Sequence, residues 1–362
     1  MVKELAIKHP RIKILVQFSL TLIGLLLCIE LGLQWSNTPN KAEISVYSGD
    51  GSPNNWFSIE SGQVVPTYQH QTVGQFNKTA KGSRIAVLGG SVVHGGSINM
   101  TADKEFPALL DIDASVHNLA NPSLDSHDQL AILEELAQYH MDAWIVSTGH
   151  NDFGNTYLHQ RYVYWPEGIL GKIGRFKENL KLTHLVRQWL GAPSVNSAKP
   201  QPDRQFSAPK INDDQKYWAL LHFKMNIDAI VNLAKASKTP LILIVPPRSL
   251  TKAPVGDCQQ GGVCASDLWN RGMEEKDKAL LSNASDADTI PFRVLSEAQQ
   301  HLKDKAKYDH VWVVDAESLL PQDREGLGPD ISLFQDHVHF KMAGHQEMAT
   351  LLSTTINEAI RR

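Results

Sequence analysis

The chain has 362 residues, 35 of them basic and 39 acidic, for a formal net charge of -4. That length suits one large α/β domain with additions, and the near balance of charge gives no global pull toward nucleic acid or an anionic surface. Three cysteines are too few for a disulfide scaffold.

The first predicted element is the run ILVQFSLTLIGLLLCIELGL over residues 14–33, mostly apolar and, at about 1.5 Å per residue, long enough to cross a hydrocarbon core of roughly 30 Å. Lys3, Lys8, Arg11 and Lys13 precede it and the next lysine is Lys41, a bias that leaves residues 1–13 in the cytoplasm and exports the chain beyond Leu33. A cleaved signal peptide and a lipoprotein signal compete with this reading. No small-x-small site comes promptly after it in Gln34-Trp35-Ser36-Asn37, and Leu27 is large for the position before a lipidated Cys28. The expectation is an uncleaved signal anchor, a single pass through the inner (cytoplasmic) membrane with the remainder periplasmic or extracellular.

Residues 34–83, rich in Ser, Asn, Gly, Pro and Gln, read as a spacer and lead-in. Organised alternation is expected from Arg84 to the C-terminus: a strand over 85–91, a helix around 106–110, a strand over 115–120, a helix over 129–139 and a strand over 143–149. Residues 153–213 read as an insertion. Its middle, 168–192, carries Lys172, Arg175, Lys177, Lys181 and Arg187 in a helical pattern, which fits a solvated cap helix or a surface for anionic headgroups or polymer. A helix over 215–236, a strand over 241–247, helical segments over 268–282 and 294–306, a strand over 311–316 and a helix over 343–361 complete the pattern. Short apolar strands alternating with helices predict a parallel sheet covered on both faces, which binds ligands at the carboxyl ends of its strands. Cys258 and Cys264 close a short polar loop; in an oxidising compartment the pair reads as a stapling disulfide.

Three motifs fall at such positions. Gly89-Gly90-Ser91 puts a serine on a strand-to-helix turn, as a nucleophile or as a plain turn or cap residue. Gly149-His150-Asn151-Asp152 ends another strand, and an Asn side chain there can donate to an oxyanion or simply form a turn. Asp336-His337-Val338-His339 precedes the last helix, with a spacing that lets the carboxylate orient an imidazole able to take a serine proton. His337 and His94 are given surface or packing roles, and the 15 histidines show no His-Glu-x-x-His or similar metal cluster.

In that order the motifs resemble those of the SGNH, or GDSL-like, hydrolase superfamily, over residues 84–360. Its Gly-Asp-Ser block reads Gly89-Gly90-Ser91 here, its Gly-x-Asn-Asp block Gly149 to Asp152, and its Asp-x-x-His block Asp336 to His339. The resemblance implies a flavodoxin-like three-layer sandwich with a central parallel sheet. It also implies Ser91 as nucleophile, His339 as base and Asp336 as its orienter, with no cofactor. The family's second block normally supplies a glycine N–H, whereas this chain has Asn118-Leu119-Ala120-Asn121-Pro122-Ser123. Ser123 is taken as the donor, since Pro122 has no N–H; if its backbone could not adopt the needed conformation, the oxyanion hole would hold only the Ser91 N–H and Asn151. The expected activity is removal of O-acetyl groups from envelope or secreted polysaccharide. O-acetyl transfer, lipid or lysophospholipid hydrolysis and an inactive glycan-binding component are the alternatives, with no nucleic-acid partner.

Overall fold

The computed structural model describes residues 56–68, 75–77, 82–95, 102–159, 211–256 and 263–360. The expected membrane anchor at 14–33, the basic stretch at 168–192 and Cys258, hence the Cys258–Cys264 pairing, lie outside them. Among the described residues, no helix is long and apolar enough to cross a membrane.

Five strands form the central sheet. Numbered in chain order after three strands of the lead-in, they are β4 (Arg84–Gly89), β5 (Ser115–Asn118), β6 (Ala143–Ser147), β7 (Leu241–Val245) and β8 (Val311–Asp315). Their spatial order is β5-β4-β6-β7-β8, parallel throughout, with Ile85 opposite Val116 on one side and Ala143 on the other. Relabelled from the first sheet strand this is 2-1-3-4-5, the flavodoxin-like order, in which the chain changes direction between β4 and β6. Both strands are buried along their whole length, as near-continuous apolar runs in a doubly covered sheet require.

The pleat divides each run between two cores. Ala86, Leu88, Trp144, Val146, Leu241 and Leu243 face one core, which is filled by residues of the helices Ser126–Leu136, Asp213–Ser237 and Ser296–Lys303. Ile85, Val87, Ile145, Ile242 and Ile244 face the other, closed chiefly by the C-terminal helix Met342–Ile360 through Met348, Leu352 and Ile356. A two-residue period in the strands and helices on each face produce the three layers.

Several boundaries differ from expectation for local chemical reasons. The helix expected from Gln129 begins at Ser126, because Asp125 caps it and forms a reciprocal capping box with Asp128. The 268–282 segment is two helices, Ala265–Glu275 and Lys278–Ala287; Lys276 takes a left-handed φ of 54° and Asp277 caps the second. The 106–110 helix is a short 3₁₀ turn, Phe106–Leu109, with proline in its first turn. The insertion is narrower than 153–213: Phe153, Asn155 and Thr156 are buried in the helix His150–His159, and Ile211 is buried ahead of the capping box at Asn212.

The larger correction concerns the lead-in. Phe57–Glu60 (β1), Gln63–Pro66 (β2) and Phe76–Asn77 (β3) form an antiparallel three-stranded sheet. Ser61 and Gly62, with φ of 50° and 83°, supply the two positive values that a tight hairpin turn demands. Phe57, Val64, Tyr68 and Phe76 are buried in the first core, and the Glu135 carboxylate accepts the Trp56 and Phe57 N–H groups. These residues are part of the folded domain.

Glu105 makes a testable contribution to stability. It is buried over Gly95 and accepts a 2.8 Å hydrogen bond from Asn118 Nδ2. Burial, reinforced by Asp103 and opposed by the Asn118 bond, pushes its pKa up to about 8. In the unfolded chain the carboxyl ionises near the ordinary value of 4.5 while the folded form still holds its proton, so stability falls from there to about pH 8. Glu105→Gln, which keeps the acceptor without a charge, is expected to match wild type near pH 4.5 and exceed it at pH 8 by roughly 4 kcal/mol. Urea melts at the two pH values check this; equal wild-type and variant stability at pH 8 would refute it.

Candidate active site

The carboxyl ends of β4 and β6 open side by side at the reversal of strand order, where sheets of this kind bind ligands. Ser91 leaves β4 as the first residue of the short helix Ser91–His94. Its two preceding glycines are required by close approach. A Cβ on Gly89 would lie 2.1 Å from Val93 Cγ2, and one on Gly90 would lie 2.1 Å from Asn151 Nδ2 and 3.3 Å from the Leu124 carbonyl oxygen. Gly149, two residues past the end of β6, has φ 125°, and a Cβ there would meet Val294 Cγ2 at 2.7 Å.

The Asp336 to His339 loop reaches this edge from beyond β8. Ser249 N–H donates to the His337 carbonyl oxygen and His337 Nε2–H to that of Ala253, which ties the loop to the segment after β7. His337 thus has a packing role, and His94 is half-buried outside the pocket lining. The segment after β7 is in turn held by buried charge: Arg248 makes a two-pronged pair with Glu317 at 2.8 and 2.9 Å, and Arg293 donates to the Ser249 and Lys252 carbonyl oxygens.

The structure brings together three of the expected site residues, Ser91, His339 and Asp336. Ser91 Oγ is 2.7 Å from His339 Nε2, and His339 Nδ1 is 2.7 Å from Asp336 Oδ2. The other carboxylate oxygen, Asp336 Oδ1, accepts the N–H groups of Val338 and His339 at 2.9 and 2.8 Å. Burial alone would raise the Asp336 pKa; these three donors outweigh it and hold the carboxyl well below its usual range. An ionised carboxylate only accepts, so His339 Nδ1 carries a proton toward Asp336, and Nε2 is the ring nitrogen that faces the serine hydroxyl. This is the arrangement of a nucleophile, a base and an orienter.

Beside Ser91 are the expected oxyanion donors. Ser91 N–H and Ser123 N–H have no acceptor among the described residues. Asn151 Nδ2 gives one hydrogen to the Leu124 carbonyl oxygen at 2.9 Å, which leaves its second amide hydrogen for another acceptor. Ser123 has φ 67°, so a serine occupies the left-handed region that a glycine would take more readily.

Ser91, Ser123, Asn151 and His339 line one pocket of about 170 Å³, together with Gly154 and Phe292. His150 lines it as well; its Nδ1 accepts the Val294 N–H, and burial, with the nearby His339 and Arg248, lowers its pKa to about 3, so the ring is neutral. Asp152 is buried behind Asn151, where it accepts from Ser126 N–H, Ser126 Oγ and Thr148 Oγ1; burial and the adjacent Asp125 raise its pKa to about 7. Asn155 is a residue the motif reading missed. Its i, i+4 spacing from Asn151, which puts both amides on one helix face, was the available signal. Among the described residues, no group of three or more His, Cys, Asp or Glu side chains is placed to hold a metal ion.

No protein-family model and no curated protein matches the sequence. Among solved structures, the chain is similar to a GDSL-like lipase from Bacteroides thetaiotaomicron, at 13% identity over 76% of this chain and 89% of that one, with a TM-score of 0.39. It is similar also to a member of the lipolytic protein G-D-S-L family from Veillonella parvula (12% identity, 76% and 98% of the two chains, TM-score 0.40). A psychrotrophic esterase from Pseudoalteromonas gives 11% identity over 77% and 100% of the two chains, with a TM-score of 0.36. A likeness of that size leaves the chemistry to be read from the site itself.

Proposed function

We propose that the chain is a serine ester hydrolase that works through an acyl-enzyme and removes short acyl groups, O-acetyl groups of polysaccharide in particular. The observation that carries this reading is the unbroken relay from Asp336 through His339 to Ser91, which ends beside two N–H groups without acceptors and the Asn151 amide. His339 Nε2 takes the hydroxyl proton as Ser91 Oγ attacks the ester carbonyl, and Asp336 stabilises the imidazolium that forms. The carbonyl oxygen becomes an oxyanion, received by the N–H groups of Ser91 and Ser123 and by Asn151 Nδ2. His339 then returns the proton to the departing alcohol, and a water activated by the same nitrogen releases the carboxylic acid.

Pocket size supports a short acyl group. A volume of about 170 Å³, with Phe292 and Val338 in its lining, suits an acetyl group better than a long chain. Pockets for drug-sized ligands run to roughly 300–1,000 Å³. Export and anchoring through residues 14–33 belong to the same proposal and are supported by the apolar run and its flanking charges.

A p-nitrophenyl ester series tests the reading. kcat/KM is expected to be highest for the acetate and to fall at least about tenfold by the octanoate, one missing or extra methylene in a tight pocket being worth roughly 10-fold or more. A rising trend toward long chains would overturn the acetyl assignment in favour of a lipid esterase. Acetate release from an acetylated glycan without added acceptor supports hydrolysis; product that appears only with an acceptor sugar identifies a transferase. Absence of both activities and of fluorophosphonate labelling at Ser91 would leave only a binding component.

A further inference from the structure

Residues 288–295 join the helices Lys278–Ala287 and Ser296–Lys303 as a loop held from within the protein. The buried Asp288 carboxylate accepts the N–H groups of Val255, Gly256 and Ile290 at 2.9, 2.7 and 2.9 Å. The buried Arg293 guanidinium donates to the Ser249 and Lys252 carbonyl oxygens at 3.1 and 2.9 Å, and Val294 N–H donates to His150 Nδ1 at 3.1 Å. Pro291, Arg293, Val294 and Leu295 are all buried; Phe292 among them is not, and it lines the pocket beside Ser91. A loop fixed at so many points presents that ring in one place.

Facing the ring is Gly154, three residues along the helix His150–His159 from Asn151 and so on the same side of it. A Cβ added at Gly154 would meet Phe292 Cδ1 at 3.7 Å and the Pro291 carbonyl oxygen at 3.9 Å, both ordinary contact distances. Helix and ring therefore leave room for a methyl group between them, in the pocket that both line.

In the tetrahedral intermediate the attacked carbon carries Ser91 Oγ, the oxyanion, the alcohol oxygen and the acyl substituent. The oxyanion goes to the Ser91, Ser123 and Asn151 donors, and the alcohol oxygen must reach His339 Nε2, which protonates it as it leaves. A sugar within a polymer continues at both ends and cannot be enclosed in about 170 Å³, so the acyl substituent is the part that the pocket takes in. We infer that Phe292, facing Gly154, is the specificity-determining residue for acyl length: its ring closes the acyl end of the pocket, admits an acetyl group and excludes longer chains. An apolar wall suits the methyl group it would meet. The inference rests on the serine-esterase reading and gives Phe292 no part in proton transfer or oxyanion stabilisation.

The test uses the full-length protein with p-nitrophenyl acetate and butyrate, read as a ratio of kcat/KM values so that a general loss of active enzyme cancels. Phe292→Ala opens the wall and is expected to raise the butyrate-to-acetate ratio at least about tenfold over wild type, since even one methylene in a tight pocket is worth roughly that much. Gly154→Ala fills the gap from the other side, in a helix where alanine is the better former, and is expected to lower the same ratio at least about threefold. The acetates of p-nitrophenol and 4-methylumbelliferone differ only in the alcohol, and their relative rates are expected to stay within about threefold of the wild-type value in both variants. A purely structural role for Phe292 lowers all esters together and moves neither ratio. An acyl ratio unchanged in Phe292→Ala, one that Gly154→Ala fails to lower, or an alcohol preference that shifts as far as the acyl preference would overturn the inference. Should Phe292→Ala fail to fold, Phe292→Leu, which keeps an apolar but shorter wall, takes its place with an expected rise of at least about threefold. A wild type that neither labels with fluorophosphonate nor turns over refutes the esterase reading and this inference with it; an active, labelled wild type that prefers acetate, with both variants' ratios unmoved, refutes the inference alone.

Discussion

Replacing Ser91 by alanine is expected to lower ester turnover by about 10⁴- to 10⁶-fold and to abolish fluorophosphonate labelling, with the fold intact. The size of the loss is set by the relay. Ser91 Oγ is the group whose proton His339 Nε2 is placed to take at 2.7 Å, and removing either partner leaves only binding and oxyanion stabilisation. His339→Ala is therefore expected to cost about as much as Ser91→Ala, and the double variant no more than either single one, because the two residues act as a unit. Stability should hardly change: both residues are half-buried, and their bonds are to each other and to Asp336. Initial rates on p-nitrophenyl acetate, with thermal melts of the same preparations, decide the matter. Substantial turnover in either variant would sink the mechanism, and a melting point lowered by more than about 5 °C would show that a fold defect is being measured.

Gly90→Ala is expected to damage catalysis through a different atom. A methyl group at that position would overlap Asn151 Nδ2 at 2.1 Å and crowd the Leu124 carbonyl oxygen at 3.3 Å. Gly90 has φ -87°, which alanine tolerates, so the backbone need not move. The Asn151 amide must then swing away, taking with it the donor whose other hydrogen bonds Leu124. Loss of one oxyanion donor costs about 10²- to 10³-fold in kcat, with KM much less affected. Asn151→Ala is expected to show the same loss, and combining the two substitutions should add little, since both remove one interaction. Ser91 should still be labelled by fluorophosphonate, more slowly. Full kcat in Gly90→Ala would mean that the amide in this position is not the donor.

The lead-in and the second oxyanion block show where reading by composition stops. Residues 57–66 have the alternation and the Ser61-Gly62 turn of a hairpin, but they are flanked by polar stretches that look like a spacer. Their place in the fold depends on partners far along the chain, such as Glu135 at a separation of 79 residues from Trp56. In the second block, the departure from glycine raised the question of whether Ser123 could serve. The block's surroundings include Asn155, 32 positions away, which donates to the Ser123 carbonyl oxygen and which no pattern within the block contains.

What the sequence by itself determined is what contiguous residues can encode. Apolar strands alternating with helical patterns specify a doubly covered parallel sheet. Asp336 and His339 are three residues apart and close their own hydrogen-bonded loop, so the carboxylate–imidazole pair was legible locally. Gly89 and Gly90 marked a turn where side chains are unwelcome. The tertiary structure decided what depends on distant surfaces meeting: that Ser91 lies against a histidine 248 residues later, that the lead-in joins the core, that the pocket is small, and that a serine is held in a glycine's conformation. The physical reason is common to these. Local propensity chooses among backbone states that differ by little free energy, and packing and hydrogen bonds between elements far apart in the chain contribute energies of the same size.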